Sequence, residues 1–208
     1  MVTKTIEIVL ARHGRSCVEV NGWVSGRELG DLMRRYDESG ITRALEPPPA
    51  LRQLGTRAAC VVTSDLQRSV ESAEWLIGDR EISIHPELRE ACLPQSLGFR
   101  ARIPAALAIV LGRTAWWLNL CDAEETISET RRRAGRAVDL LTNLAERHGT
   151  LLAVGHGIFN RFMARHLRER GWRGPRVMPS SHWSSARYVP AAAAPREPRQ
   201  RALLGSAP

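Results

Sequence analysis

Along this chain, short apolar runs alternate with longer stretches in which apolar residues recur at helical spacing. The first run, Ile6-Glu7-Ile8-Val9-Leu10-Ala11, is rich in β-branched residues and reads as a buried strand that stops at Gly14. Cys60-Val61-Val62-Thr63 and Leu151-Leu152-Ala153-Val154 are further runs of the same kind. Residues 81–85 alternate around Ile82 and Ile84 and predict a short strand closed by Pro86, and residues 184–189 predict a last one. Between these runs the period changes. Leu66, Val70, Ala73 and Ile77 mark a helix ended by Gly78, with Ser64 and Gln67 in the positions of a capping box. Ile127, Ala134, Val138, Leu141 and Ala145 mark a long amphipathic helix, opened by Thr126 and Glu129 and closed by Gly149. Ile158, Phe159, Phe162, Met163 and Leu167 mark another. Shorter helices are expected over residues 29–38 and 50–57, separated by the stiff connector Glu46-Pro47-Pro48-Pro49.

Polar groups collect where strands end. Arg12 and His13 follow the first strand, Arg68 lies one helical turn beyond the second, and His156 follows the 151–154 run between two glycines. In open α/β sheets ligands bind beyond the carboxyl ends of strands. A helix N-terminus after Gly157 favours an anion, and an anion would also offset the cost of Arg68 in the first turn of its own helix. Two guanidiniums and two imidazoles suit a phosphoryl group, because arginine forks match phosphate oxygens in pairs. No carboxylate or cysteine cluster with metal-ligand spacing accompanies them, so no metal is expected.

From residue 91 to residue 125 the character shifts. Pro94 and Pro104 bracket a loop, and a strongly apolar stretch containing Trp116-Trp117 follows. It reads as an insertion that covers a face of the core, with the two tryptophans either packed inside or lining a pocket. Trp23 and Arg102 are further candidates for the pocket entrance. From Pro190 onward an Ala, Pro and Arg bias reads as a disordered tail.

At 208 residues the chain suits one domain with an insertion. Its formal net charge of +8 points to anionic partners, yet the longest basic run is Arg131-Arg132-Arg133 and no aromatic residues interleave it. A specific nucleic-acid partner is therefore not expected. The four cysteines are widely spaced, with no Cys-x-x-Cys pair. No leader pattern or membrane-spanning run is seen, and a cytoplasmic location is expected.

Four short motifs, in order, resemble the histidine phosphatase superfamily, also called phosphoglycerate-mutase-like. Arg12-His13-Gly14 matches its signature. Thr63-Ser64-Asp65-Leu66-Gln67-Arg68-Ser69 is similar to the segment with its phosphate-binding arginine. Leu88-Arg89-Glu90 resembles the segment with its proton donor, and Gly155-His156-Gly157 the one with its second histidine. Two places depart from the family pattern: Glu19 stands where an asparagine is common, and residues 91–98 lack the usual Gly-x-Trp/Phe-x-Gly. The resemblance implies an α/β fold, a three-layer α/β/α sandwich with a mostly parallel central sheet and a helical insertion over the active-site face. The catalytic domain is expected over residues 1–189, with 91–125 as the cap and 190–208 as the tail.

The resemblance further implies a metal-independent, cofactor-free phosphatase acting on a small phosphomonoester. His13 would form a phosphohistidine, Arg12, Arg68 and His156 would hold the phosphoryl oxygens, and Ser16 would contribute to binding. Glu90 would serve as proton donor, with Glu87 as its rival. A phosphoglycerate-mutase-type phosphotransferase and a non-catalytic binder of a phosphorylated ligand are the alternatives.

Overall fold

The computed structural model describes residues 5–92, 94 and 97–191. The chain opens with β1 (Glu7–Arg12), β2 (Trp23–Val24) and α1 (Gly26–Glu38). There follow α2 (Pro49–Arg57), β3 (Cys60–Thr63), α3 (Gln67–Ile77) and β4 (Ser83–Ile84). A single 3-10 turn, Pro86–Leu88, leads to β5 (Ile103–Pro104), α4 (Ala105–Trp117) and α5 (Ile127–His148). The last elements are β6 (Thr150–Gly155), α6 (Gly157–Glu169), β7 (Trp172–Arg173) and β8 (Ser185–Pro190).

The main sheet has the order β4-β3-β6-β1-β8-β7. Strands β4, β3, β6 and β1 are parallel, while β8 runs antiparallel to β1 and β7 antiparallel to β8. Both faces are covered, which is why β1 and β6 read as continuous apolar runs rather than alternating ones. Ile8, Leu10, Leu151 and Ala153 pack with Val138, Leu141, Phe159 and Met163 of α5 and α6. The intervening Val9, Ala11, Leu152 and Val154 pack with Leu51, Leu54, Ala73 and Leu76 of α2 and α3. The result is the α/β sandwich and mostly parallel sheet expected from the sequence. A smaller cluster of Val24, Leu29, Leu32, Ala105 and Ala108 joins α1 to α4.

Register decides where the site lies. Arg12 pairs with Gly155, and Thr63 pairs with Val154. The residues that follow, His13, Ser64 and His156, therefore emerge side by side at the carboxyl ends of three neighbouring strands. Asn160 ties α6 to the end of β1, its Nδ2 donating to the Ala11 carbonyl at 3.0 Å.

Several local expectations differ from the structure. Helix α1 begins at Gly26, earlier than the apolar period suggests, because Ser25 and Glu28 form a capping box there. The box expected from Ser64 and Gln67 does not form: α3 has no side-chain cap, and the Ser64 hydroxyl is taken by His156. β4 shrinks to two exposed residues. The β2–β5 and β7–β8 pairings are too short to leave a periodic signal. The tail beyond residue 191 lies outside the described residues. No helix among the described residues is long and apolar enough to cross a membrane.

Candidate active site

His13 is buried at 2% exposure directly after β1. Its backbone N–H donates to the Gly155 carbonyl at 2.9 Å, and its ring Nδ1 lies 2.6 Å from the Gly14 carbonyl. A carbonyl only accepts, so in the neutral ring Nδ1 carries the hydrogen and Nε2 keeps the lone pair. The backbone thus sets which nitrogen can act as a nucleophile. Gly14 is needed for packing: a Cβ there would sit 2.5 Å from Cζ2 of Trp183.

His156 caps the N-terminal end of α6 and is fully buried. Its ring centroid lies 5.2 Å from that of His13, with the planes tilted by 59°. Its Nε2 is 2.7 Å from Ser64 Oγ and 3.3 Å from Ser69 Oγ. Ser64 Oγ also accepts the Leu66 N–H at 3.4 Å, and its own hydrogen is available to donate to Nε2. With that hydroxyl donating, the proton of a neutral His156 sits on Nδ1, a buried atom with no hydrogen-bond partner among the described residues.

Two guanidiniums flank the imidazoles. Arg68 is buried at 1% exposure, and its side chain donates to the Tyr36 carbonyl at 3.1 Å and to Asp37 Oδ1 at 2.9 Å. Arg12 donates to the Ser180 carbonyl and lies against Gly157 at the start of α6. The Nε atoms of both arginines are buried without a partner among the described residues. Buried donors are nearly always satisfied, so these two atoms and His156 Nδ1 are open to an acceptor from outside the described residues.

Burial pushes the pKa of His13 well below the ordinary histidine value, with further lowering from Arg68, Arg12 and His182. Burial lowers His156 as well, followed by His13, Arg68 and Arg12. Both rings are therefore neutral at pH 7, as a nitrogen nucleophile and a neutral donor require. Among the described residues no group of three or more His, Cys, Asp or Glu side chains is arranged to hold a metal ion.

These residues open onto a cleft of about 2020 Å³. Arg12, His13, Ser16, Arg68 and Glu90 all line it, whereas His156, with its ring 5.2 Å from that of His13, is not in the wall. Glu90 is clamped in place: its Oε1 accepts the Phe159 and Ala91 N–H groups at 2.8 and 2.9 Å, and its Oε2 accepts that of Ile158 at 3.2 Å. Glu87 is outside the cleft wall, 3.6 Å from Arg136. Ser16 is in the wall, but its hydroxyl is engaged by Ser39 Oγ at 2.7 Å and by the Val18 N–H at 3.0 Å.

Helix α4 supplies one side of the cleft through Ile109, Val110, Arg113 and Trp117. The two tryptophans divide between the roles open to them. Trp116 is core, donating to the Glu125 carbonyl at 2.8 Å, whereas Trp117 lines the cleft and stacks on Phe162. Trp23 and Arg102 are not in the cleft wall; they meet each other beside the β2–β5 pair.

Three site neighbours escaped the sequence reading. Ser64 reads as a helix cap within the second motif and carries no sign of its contact with His156, which is distant in the chain. Asp37, the ion partner of Arg68, sits at the end of an unremarkable surface helix. His182 lies in a loop and carries no motif, yet its ring is 5.7 Å from that of His13.

A profile of the histidine phosphatase superfamily (branch 1) matches residues 8–191. Among solved structures, Bacillus stearothermophilus YhfR is similar with 23% identity and a TM-score of 0.53, over 78% of this chain and 80% of that one. A mycobacterial glucosyl-3-phosphoglycerate phosphatase gives 19% identity and a TM-score of 0.52, over 78% and 79%. A phosphoserine phosphatase from Entamoeba histolytica, in complex with 3-phosphoglyceric acid, gives 16% and 0.50, over 78% and 80%. No curated protein gives a significant sequence match.

Proposed function

Since the chain belongs to the histidine phosphatase superfamily, we propose that it is a metal-independent phosphatase that hydrolyses a small phosphomonoester through a phosphohistidine on His13. The observation that carries this reading is the His13 ring: buried, neutral, with Nδ1 tied to the Gly14 carbonyl and its free nitrogen beside unpartnered donors of Arg12, Arg68 and His156. The solved relatives include phosphatases for phosphoserine and for glucosyl-3-phosphoglycerate, which supports a small phosphorylated substrate.

In the first step His13 Nε2 attacks phosphorus and the bond to the leaving oxygen breaks, with a proton from Glu90 going to that oxygen. In the second, Glu90 takes a proton from water, the water oxygen bonds to phosphorus, and the N–P bond breaks to release phosphate and neutral His13. Arg12, Arg68 and His156 bind the three equatorial oxygens, whose charge spreads in each transition state. Loss of one such donor costs on the order of 100-fold in rate. Ser16 acts from the wall by holding the loop after β1.

The test is hydrolysis of p-nitrophenyl phosphate in EDTA, with an alkaline quench to trap acid-labile phosphohistidine. Turnover in EDTA and a trapped phosphoenzyme that is absent from His13→Ala are expected. A His13→Ala variant that kept most of the activity would overturn the reading.

A further inference from the structure

The loop that enters β8 is built into this site although no motif marks it. Its backbone brackets the His13 segment: the Arg12 N–H donates to the Ser184 carbonyl at 2.9 Å, the Trp183 N–H to the His13 carbonyl at 3.4 Å, and the Arg12 guanidinium to the Ser180 carbonyl. Trp183 holds the loop down. Its indole packs against Gly14, its Nε1 donates to the Leu45 carbonyl at 2.9 Å, and it accepts a left-handed backbone (φ 61°) to do so. A bulky residue in that conformation is strained, and such strain persists where the surroundings over-determine it. Its effect here is on the preceding residue. His182 is turned to the cleft wall, with its ring 5.7 Å from His13. Its Nε2 is buried and has no hydrogen-bond partner among the described residues.

We propose that His182 is a further phosphoryl-contacting residue, its imidazole N–H donating to an oxygen of the group held between His13, Arg12 and Arg68. This rests on reading the cleft as the phosphoryl-transfer site. Burial, with Arg12 and Arg15 nearby, lowers the ring's pKa to about 4, so at pH 7 it is neutral and offers one N–H and one lone pair. A neutral imidazole is a competent donor to developing negative charge and adds no repulsion toward the arginines beside it.

The test is calorimetric binding of orthovanadate to the full chain, comparing wild type with His182→Ala and His182→Gln. A hydrogen bond to an anion predicts roughly 10- to 100-fold weaker vanadate binding by H182A. H182Q, whose amide keeps an N–H, should restore most of that affinity, with melting temperatures unchanged. Weaker binding by both variants together with lowered melting temperatures marks a structural role alone and overturns the proposal. Wild-type affinity in H182A overturns the proposal. Should H182A fail to fold, the ring signals of ¹⁵N-histidine-labelled wild type decide, with the His182 signal identified by its absence in H182Q. A shift on adding vanadate is expected, and an unmoved signal overturns the proposal. Vanadate binding needs no turnover, so the two readings fail separately. Binding that depends on His182 without hydrolysis removes only the phosphatase reading, and hydrolysis with binding independent of His182 removes only this one.

Discussion

Replacing Ser64 by alanine tests how the second imidazole is held. Ser64 Oγ is the nearer of two hydroxyls on His156 Nε2, at 2.7 Å against 3.3 Å for Ser69. His156 is fully buried, so bulk water does not reach the ring in place of the lost partner. A buried polar atom left unsatisfied costs roughly 1–3 kcal/mol. Part of that penalty is avoided if the ring swings toward Ser69 or moves its proton to Nε2, and both changes remove Nδ1–H from the phosphoryl oxygens. The rate should therefore fall about tenfold to a hundredfold, since about 1.4 kcal/mol is a factor of ten. The loss should appear in kcat, with KM little changed, because the interaction tightens as charge develops. Melting should drop by about 2–4 °C for each kcal/mol in a chain of this size. The assay is steady-state hydrolysis of an aryl phosphate beside thermal denaturation of both proteins. A Ser64→Ala enzyme with lowered melting temperature and wild-type kcat would refute the link from this hydroxyl to the chemistry.

Gly14→Ala should destabilise by about 1–3 kcal/mol, because the new methyl meets the Trp183 ring at 2.5 and 2.8 Å and the indole is pinned by Leu45; an unchanged melting temperature contradicts this. Glu90→Gln should lower kcat/KM, which reports the step in which the leaving oxygen departs, far more for alkyl phosphates than for p-nitrophenyl phosphate, since only a poor leaving oxygen needs its proton; equal losses of kcat/KM on both would remove Glu90 from the donor role. His13, His156 and His182 all have pKa values lowered by folding, so below about pH 6.5 the unfolded chain binds protons that the folded chain resists. Stability should then decline as pH falls below that value, read as a falling urea midpoint, and a midpoint flat from pH 7 to 5 would contradict it. For the same reason the acid limb of kcat/KM should lie well below the pKa of a free histidine.

The strands that carry the site were legible from the chain alone. A strand covered on both faces must be apolar throughout, so β1, β3 and β6 stand out in composition, and the polar residues that end them stand out by contrast. Arg12, His13, Arg68, Glu90 and His156 were found that way or through motifs of a few residues. Local signals also located α5, whose capping box at Thr126 and Glu129 forms as the spacing predicts. The same pattern at Ser64 and Gln67 misled, because a hydroxyl has a choice of partners and the nearer in sequence did not win. Only the pairing of β3 with β6 brings His156 within reach of Ser64. Tertiary structure likewise decided that Glu90 rather than Glu87 enters the cleft, and that Trp117 rather than Trp116 lines it. It also brought His182 beside His13. The physical reason is one of range: periodicity and capping report energies between residues a few positions apart. The company a side chain keeps across the sheet is set by strand register and by loops whose sequences carry no period of their own.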